Sequence, residues 1–121
     1  MKEKPGRDAT PARDEIWIVD WSPGRGSEQM GHRPAIVQTD AANRNPKYPN
    51  AIVVTVSRKG RDVPTHVRLE PDERNGLATT SYAKCEQVLT ISKHRLERRL
   101  GRLACDGIQN VNRALRIALV L

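Results

Sequence analysis

Ala51-Ile52-Val53-Val54-Thr55-Val56-Ser57 places β-branched side chains at five consecutive positions. Such side chains lose χ1 freedom in a helix and pack well on a pleated surface, so the run predicts a strand. Its apolar character is continuous rather than alternating, which predicts burial on both faces. The flanking segments have strand character too. Upstream lie Glu15-Ile16-Trp17-Ile18-Val19-Asp20 and Arg33 to Thr39, where Pro34, lacking an N–H, fits only a strand start or an edge. Downstream lie Thr65 to Glu70, Leu77 to Tyr82 and Cys85 to Ile91, with Asn75-Gly76 suited to a turn at positive φ. Short strands at this spacing predict a mainly β chain with a strongly curved sheet or small barrel.

The intervening segments read as loops. Trp21 to Gly31 is polar and carries three glycines, Asp40 to Asn50 carries Pro46 and Pro49, and Arg58 to Val63 is a basic turn. Ser92 can cap a short helical turn, followed by a strand to Leu103, since Gly101 disfavours a longer helix. Ile108, Val111, Leu115 and Leu119, with Ala114 and Ala118, form the apolar stripe of a C-terminal helix, suited to core or dimer packing. Residues 1–13 are polar, with two prolines and no apolar stretch, and read as a flexible cytoplasmic tail; residues 14–121 make one domain.

The chain holds 21 Lys and Arg against 14 Asp and Glu, a formal charge of +7. That balance suits a polyanion, because cationic side chains release counterions from phosphates. Arginine outnumbers lysine, and its planar fork grips phosphate with two hydrogen bonds. Phenylalanine is absent, which argues against an aromatic stacking platform. No run is long and apolar enough for a membrane helix. Cys85 and Cys105 lack metal-site spacing and read as reduced thiols.

His32, His66 and His94 are widely separated, and the acids form no Asp-x-Asp-like cluster, so neither metal nor cofactor is expected. A Gly-x-Ser-x-Gly elbow is missing, and Gly24-x-Gly26 is no nucleotide fingerprint. What remains is Gly24 to Pro34, a glycine-containing loop with Arg25, Ser27, Glu28 and Gln29 that returns into a strand at Arg33. On composition alone it is either a phosphate-gripping loop or an ordinary polar hairpin loop with a solvated arginine.

Trp17-Ile18-Val19-Asp20 with Pro23, then Gly26-Ser27-Glu28-Gln29-x-Gly31-x-Arg33-Pro34, resembles the N-terminal signature of the MazF/PemK toxins. The resemblance continues in order through Asn43-Arg44, Pro64-Thr65-His66-Val67, Gly76-Leu77, Glu86-Gln87, Arg95-Leu96, Leu103 and Ala114-Leu115. It implies a strongly twisted antiparallel sheet closing into a small SH3-like barrel, with short helices, a C-terminal helix and a symmetric homodimer. It implies a metal-independent endoribonuclease that cuts single-stranded RNA, chiefly mRNA, at a short motif. It also implies a cognate antitoxin whose acidic, disordered segment occupies the RNA groove.

Carried over by motif, Arg33 corresponds to the family's catalytic arginine, and Ser57 falls where relatives carry a catalytic threonine. Arg25, Gly26, Ser27, Glu28, Gln29 and Gln87 correspond to substrate-binding positions. The chain departs from the pattern in several places: Ser57 lacks the threonine methyl, Leu89 stands where many relatives have arginine, and Met30 replaces a smaller residue. Two further readings stay open at this stage, a CcdB-like inhibitor of DNA gyrase without enzymatic activity and a degenerate binder of RNA or antitoxin.

Overall fold

Strand β3 (Asn50–Ser57) runs between β2 (His32–Val37) and β5 (Ser81–Ser92) in a computed structural model that describes residues 10–22, 31–40 and 44–121. With β1 (Glu15–Asp20), β4 (His66–Leu69) and β6 (Leu96–Arg102) it forms a six-stranded sheet of order β4-β5-β3-β2-β1-β6. Every pairing is antiparallel. A helix, Cys105–Leu119, packs on β4 and β5.

Both faces of β3 are buried, as its continuous apolar run predicts. Val54 and Val56 enter a core with Ile16, Ile36, Leu69 and Cys85, closed by Val111, Ala114 and Leu115 of the helix. Ala51 and Val53 face a second core built from Trp17, Val19, Trp21, Ala35, Val37 and Leu96. The two-residue period of each strand thus sorts β1, β2 and β3 between two apolar layers. Burying each large aliphatic side chain there contributes about 1.5–3 kcal/mol.

The two strands expected at 77–82 and 85–91 are one, with residues 77–80 outside it. Val54 pairs with Val88 but Thr55 pairs with Lys84, so Cys85, Glu86 and Gln87 bulge out of the ladder. A bulge bends a strand and sharpens its twist. The first half of β5 can then pair with β4 as well as β3. The bulge falls within the second expected strand, at its first three residues.

Among the described residues the sheet does not close into the expected barrel, and β4 and β6 remain its edges. Strand β4 has four residues and Pro71 follows soon after, so no donor-complete strand reaches β6. The turn after β4 spans the gap instead, and Arg102 N–H donates to the Arg74 carbonyl at 2.8 Å. Gly101 permits that approach, because a Cβ there would collide with the Arg74 carbonyl oxygen. Gly76, at φ +68°, lies equally close to the Leu100 carbonyl.

The residues just before β1 and just after β6 are tied by backbone bonds. Pro11 is buried, and Asp14 N–H donates to Val37 O at 2.7 Å while Leu103 N–H donates to Asp14 O at 3.0 Å. Ser92 caps the 3-10 turn Lys93–Arg95 by accepting from His94 N–H. No described helix is long and apolar enough to cross a membrane.

Gly76→Ala and Gly101→Ala should each cost about 1–3 kcal/mol through strain at the seam between turn and β6. For a chain of this size, each kcal/mol lost lowers Tm by roughly 3–6 °C in a melt followed by circular dichroism. Gly107→Ala is the control: its Cβ meets only Leu103 side-chain carbons, the nearest at 3.4 Å, and the helix should tolerate it or gain stability.

Candidate active site

The β2–β3 ladder starts at Ala35, paired with Thr55, immediately after Pro34. Pro34 is the third residue of β2 rather than its first: it pairs with Ile18 of β1 and lies just before the β3 pairing begins, so the residue that cannot donate to a ladder sits where one of the two ladders has ended. Beside that end lies a cleft of about 330 Å³. Ile18, Pro34, Val56 and Leu100 give it an apolar floor, and Gly76 to Thr79 supply one wall. Its polar lining includes Arg33, Ser57, Arg58, Arg98 and His32, with no carboxylate among the described lining residues.

Arg33 and Ser57, the two residues carried over by motif, line the same cavity. Counting the β2–β3 register two residues past Ala35 and Thr55 brings them level with each other. The Ser57 oxygen accepts from Lys59 N–H at 3.2 Å, which orients the hydroxyl and leaves its proton available as a donor. Arg58 follows Ser57 directly, and Arg98 pairs with Ile18 on the far side of the floor. Arg95 plays a different part: its Nη1 donates to the carbonyls of Asp20 and Ser22, at 2.9 and 2.8 Å, fixing the entry to the loop that follows β1.

His32 was one of three scattered histidines in the sequence, yet the sheet sets it beside Asp20 of β1 and Glu97 of β6. Candidate ligand atoms of the three lie within 4.8 Å of one another, a cluster that linear spacing does not reveal. His32 Nδ1 lies 2.7 Å from Glu97 Oε1, while Asp20 Oδ1 accepts from Ser22 N–H at 3.0 Å. With those atoms engaged inside the protein, the set reads as a hydrogen-bonded group rather than a chelate. The Glu97 hydrogen bond, followed by its charge, raises the His32 pKa against an opposing effect of burial, with the Asp20 charge a lesser contribution in the same upward direction.

Gln87 does not line this cleft. It sits in the β5 bulge, where its Oε1 accepts from the Thr55 hydroxyl at 2.6 Å. Thr55 is buried, at 1% exposure, so this bond satisfies a hydroxyl that the core would otherwise strand. Arg25, Gly26, Ser27, Glu28 and Gln29 lie outside the described residues. Sequence reasoning missed His32, Arg58 and Arg98 as cleft residues, although Arg58 opens the basic turn of residues 58–63 and Arg98 lies in an arginine-rich stretch from Arg95 to Arg102. Of the cysteines, Cys105 is exposed, and burial, then the Glu86 charge, pushes the Cys85 thiol up to about 12.

The loop carrying Arg58, Lys59 and Arg61 is tied down by His66. Its Nδ1 accepts from Arg61 N–H at 3.0 Å, so Nε2 carries the hydrogen and donates to Glu86 Oε2 at 2.9 Å. Burial alone would raise the Glu86 pKa, but bonds from His66, its own backbone and Thr65 outweigh it and hold the group low.

The description "PemK-like, MazF-like toxin of type II toxin-antitoxin system" matches residues 12–119. The chain belongs to the PemK/MazF toxin family. It is 38% identical over 112 residues to endoribonuclease EndoA of Bacillus subtilis (strain 168), covering 90% of this chain and 94% of that protein. It is also similar to a mycobacterial endoribonuclease solved in complex with its cognate antitoxin. That match has a TM-score of 0.74 and 25% identity, and covers 92% of this chain and 96% of the other. MazF from Deinococcus radiodurans shares the fold at a TM-score of 0.76 and 22% identity, over 94% of this chain and 100% of that one. Within this PemK/MazF chain, the cleft beside Arg33 and Ser57, beyond the end of the β2–β3 pairing, is the candidate active site.

His66→Ala should free the basic loop and raise the Glu86 pKa, since burial then meets less opposition. Glu86 stabilises the fold above its unfolded pKa and loses that effect as pH falls through its depressed folded value. In the variant this acid-side contribution should shrink, read as an upward move of the Glu86 carboxyl titration by NMR. Hydrogen exchange at the Arg61 amide should quicken. An unmoved Glu86 titration would show that the pair does not set its charge state.

Proposed function

We propose that this chain is the toxin of a type II toxin–antitoxin pair and acts as a sequence-specific, metal-independent endoribonuclease on single-stranded RNA. The observation that carries this reading is the cleft where Arg33 and Ser57 stand with Arg58 and Arg98, with no carboxylate among the described lining residues. A phosphodiester fits such a lining, because guanidinium groups neutralise its charge without a metal. The 2′-oxygen attacks the adjacent phosphorus and the 5′-oxygen leaves, giving a 2′,3′-cyclic phosphate and a 5′-hydroxyl end. Arg33 stabilises charge developing on the non-bridging oxygens, and Ser57 donates a hydrogen bond to the same group.

Arg25, Gly26, Ser27, Glu28 and Gln29, between β1 and β2 in the sequence, complete the RNA contacts. Gln87 can offer its amide N–H groups to a base edge, its oxygen being held by Thr55. The active form is a homodimer in the cytoplasm, and the exposed Ile117, Leu119, Val120 and Leu121 support an assembly. The SH3-like barrel reading survives in weaker form, its seam bridged by the turn after β4. The cognate antitoxin presents an acidic disordered segment to the cationic groove.

Purified protein incubated with a long single-stranded RNA in EDTA should give discrete cuts at a shared motif, ending in cyclic phosphate and 5′-hydroxyl. Arg33→Ala should slow cleavage by about 10²–10³. A 2′-deoxy residue at the cut site should block it. Folded protein that makes no cuts but inhibits supercoiling would replace this reading with gyrase inhibition. Stoichiometric RNA binding with no turnover would replace it with a binding role alone.

A further inference from the structure

Attack by the 2′-oxygen requires a proton acceptor, and neither an arginine nor a serine accepts protons readily near neutral pH. Among the described residues that line the cleft, His32 is the one whose ordinary pKa lies in that range. Its ring is already oriented. Nδ1 faces Glu97 Oε1 at 2.7 Å, and an ionised carboxylate there calls for the hydrogen on Nδ1. The neutral ring then carries its lone pair on Nε2. The side chain is 59% exposed, so a bound strand can reach it, whereas the His66 side chain is only 9% exposed and has both ring nitrogens engaged.

We propose that His32 takes the proton of the attacking 2′-hydroxyl, with Glu97 as the residue that positions its ring. This rests on the endoribonuclease reading above. In the step, the 2′-O–H proton passes to Nε2 as the 2′-oxygen bonds to phosphorus. The bond from phosphorus to the 5′-oxygen breaks, and that oxygen takes a proton from water. The imidazolium then returns its proton to solvent, so protons balance over the turnover.

The charges around His32 fit the role. Asp20 faces it from β1, and Glu97 from β6. The cations sharing the cleft are Arg33 on β2, Arg58 beyond β3 and Arg98 on β6. Cations alone would make the ring a poor base, and the two carboxylates offset them. The raised pKa follows from this arrangement, with the Glu97 hydrogen bond its first cause. A purely structural pair, tying β2 to β6 across β1, would place the same atoms together but would leave the rate's pH dependence alone.

The test is single-turnover cleavage of a single-stranded transcript containing all four bases, in EDTA, between about pH 5 and 9, around histidine's ordinary range. Wild-type protein should gain rate with pH along a limb set by His32, centred above the ordinary histidine value. His32→Gln should lose that limb and about 10²–10⁴ in rate, with KM within a few-fold. Glu97→Gln should keep the limb but move it to lower pH. A His32→Gln protein with the wild-type limb or rate overturns the proposal, and an unmoved limb in Glu97→Gln removes Glu97 from it. A loss in His32→Gln confined to KM would make His32 a binding group and also overturns it. Wild-type protein that cuts no RNA overturns the ribonuclease reading and this one with it, an outcome separate from a wild type that cuts and a variant that cuts equally well.

Discussion

Because both faces of β3 are covered, its alignment with its neighbours has one low-energy solution. A slip of one residue would exchange Val54 and Val56 for Thr55 and Ser57 in the layer that holds Ile16, Ile36 and the helix. Each hydroxyl stranded there would cost about 1–3 kcal/mol. The register that keeps the valines inside also sets Ala35 against Thr55 and, two residues on, Arg33 level with Ser57. It also brings Thr55 to its hydrogen-bond partner, Gln87 in the bulge on β5. The placing of Arg33 and Ser57 in one cleft is therefore a consequence of core packing.

A second requirement falls on the turn after β4, which forms one wall of the cleft. Asn75 is buried, at 3% exposure, and organises this turn through its side chain. Its Nδ2 donates to Glu70 O at 2.9 Å, and its Oδ1 accepts from the backbone N–H of Leu77 at 2.9 Å. Asp72 Oδ1 accepts from Arg74 N–H and Asn75 N–H, each at 2.8 Å. The result is a hydrogen-bonded unit that docks on β6 through one backbone bond, where Gly101 leaves it room. Wall and floor are thus joined across an open edge of the sheet, and the cleft lies along that junction.

The parts of this arrangement that were legible in the sequence are those governed by local pattern. β-branched runs located β1, β3 and β4, and a 3.6-residue stripe located the C-terminal helix. The 3-10 turn after Ser92 followed from its capping side chain. The open sheet and the continuous β5 were not legible, because a bulge and a bridging turn depend on which strands meet. For the candidate site, the motif singled out Arg33 and Ser57, which line one cleft. It separated Gln87 from its true neighbour Thr55, 32 positions away. His32 and Glu97 are 65 positions apart and come together only because β1 lies between their strands.

That placement reconciles two electrostatic demands that conflict in a small cleft. Gripping a phosphodiester without a metal calls for several guanidinium groups, and these repel one another and depress any nearby imidazole. A carboxylate inside the cleft would restore the imidazole but would also repel the phosphate. Here Glu97 and Asp20 are absent from the cleft lining, yet Glu97 bonds the ring that forms part of it. The hydrogen bond is short-ranged and acts on His32 alone, while the arginines keep the lining cationic toward a strand. A chain with a formal charge of +7 draws RNA in from a distance, but it is this local ordering that lets one cleft hold an anion and still accept a proton from it.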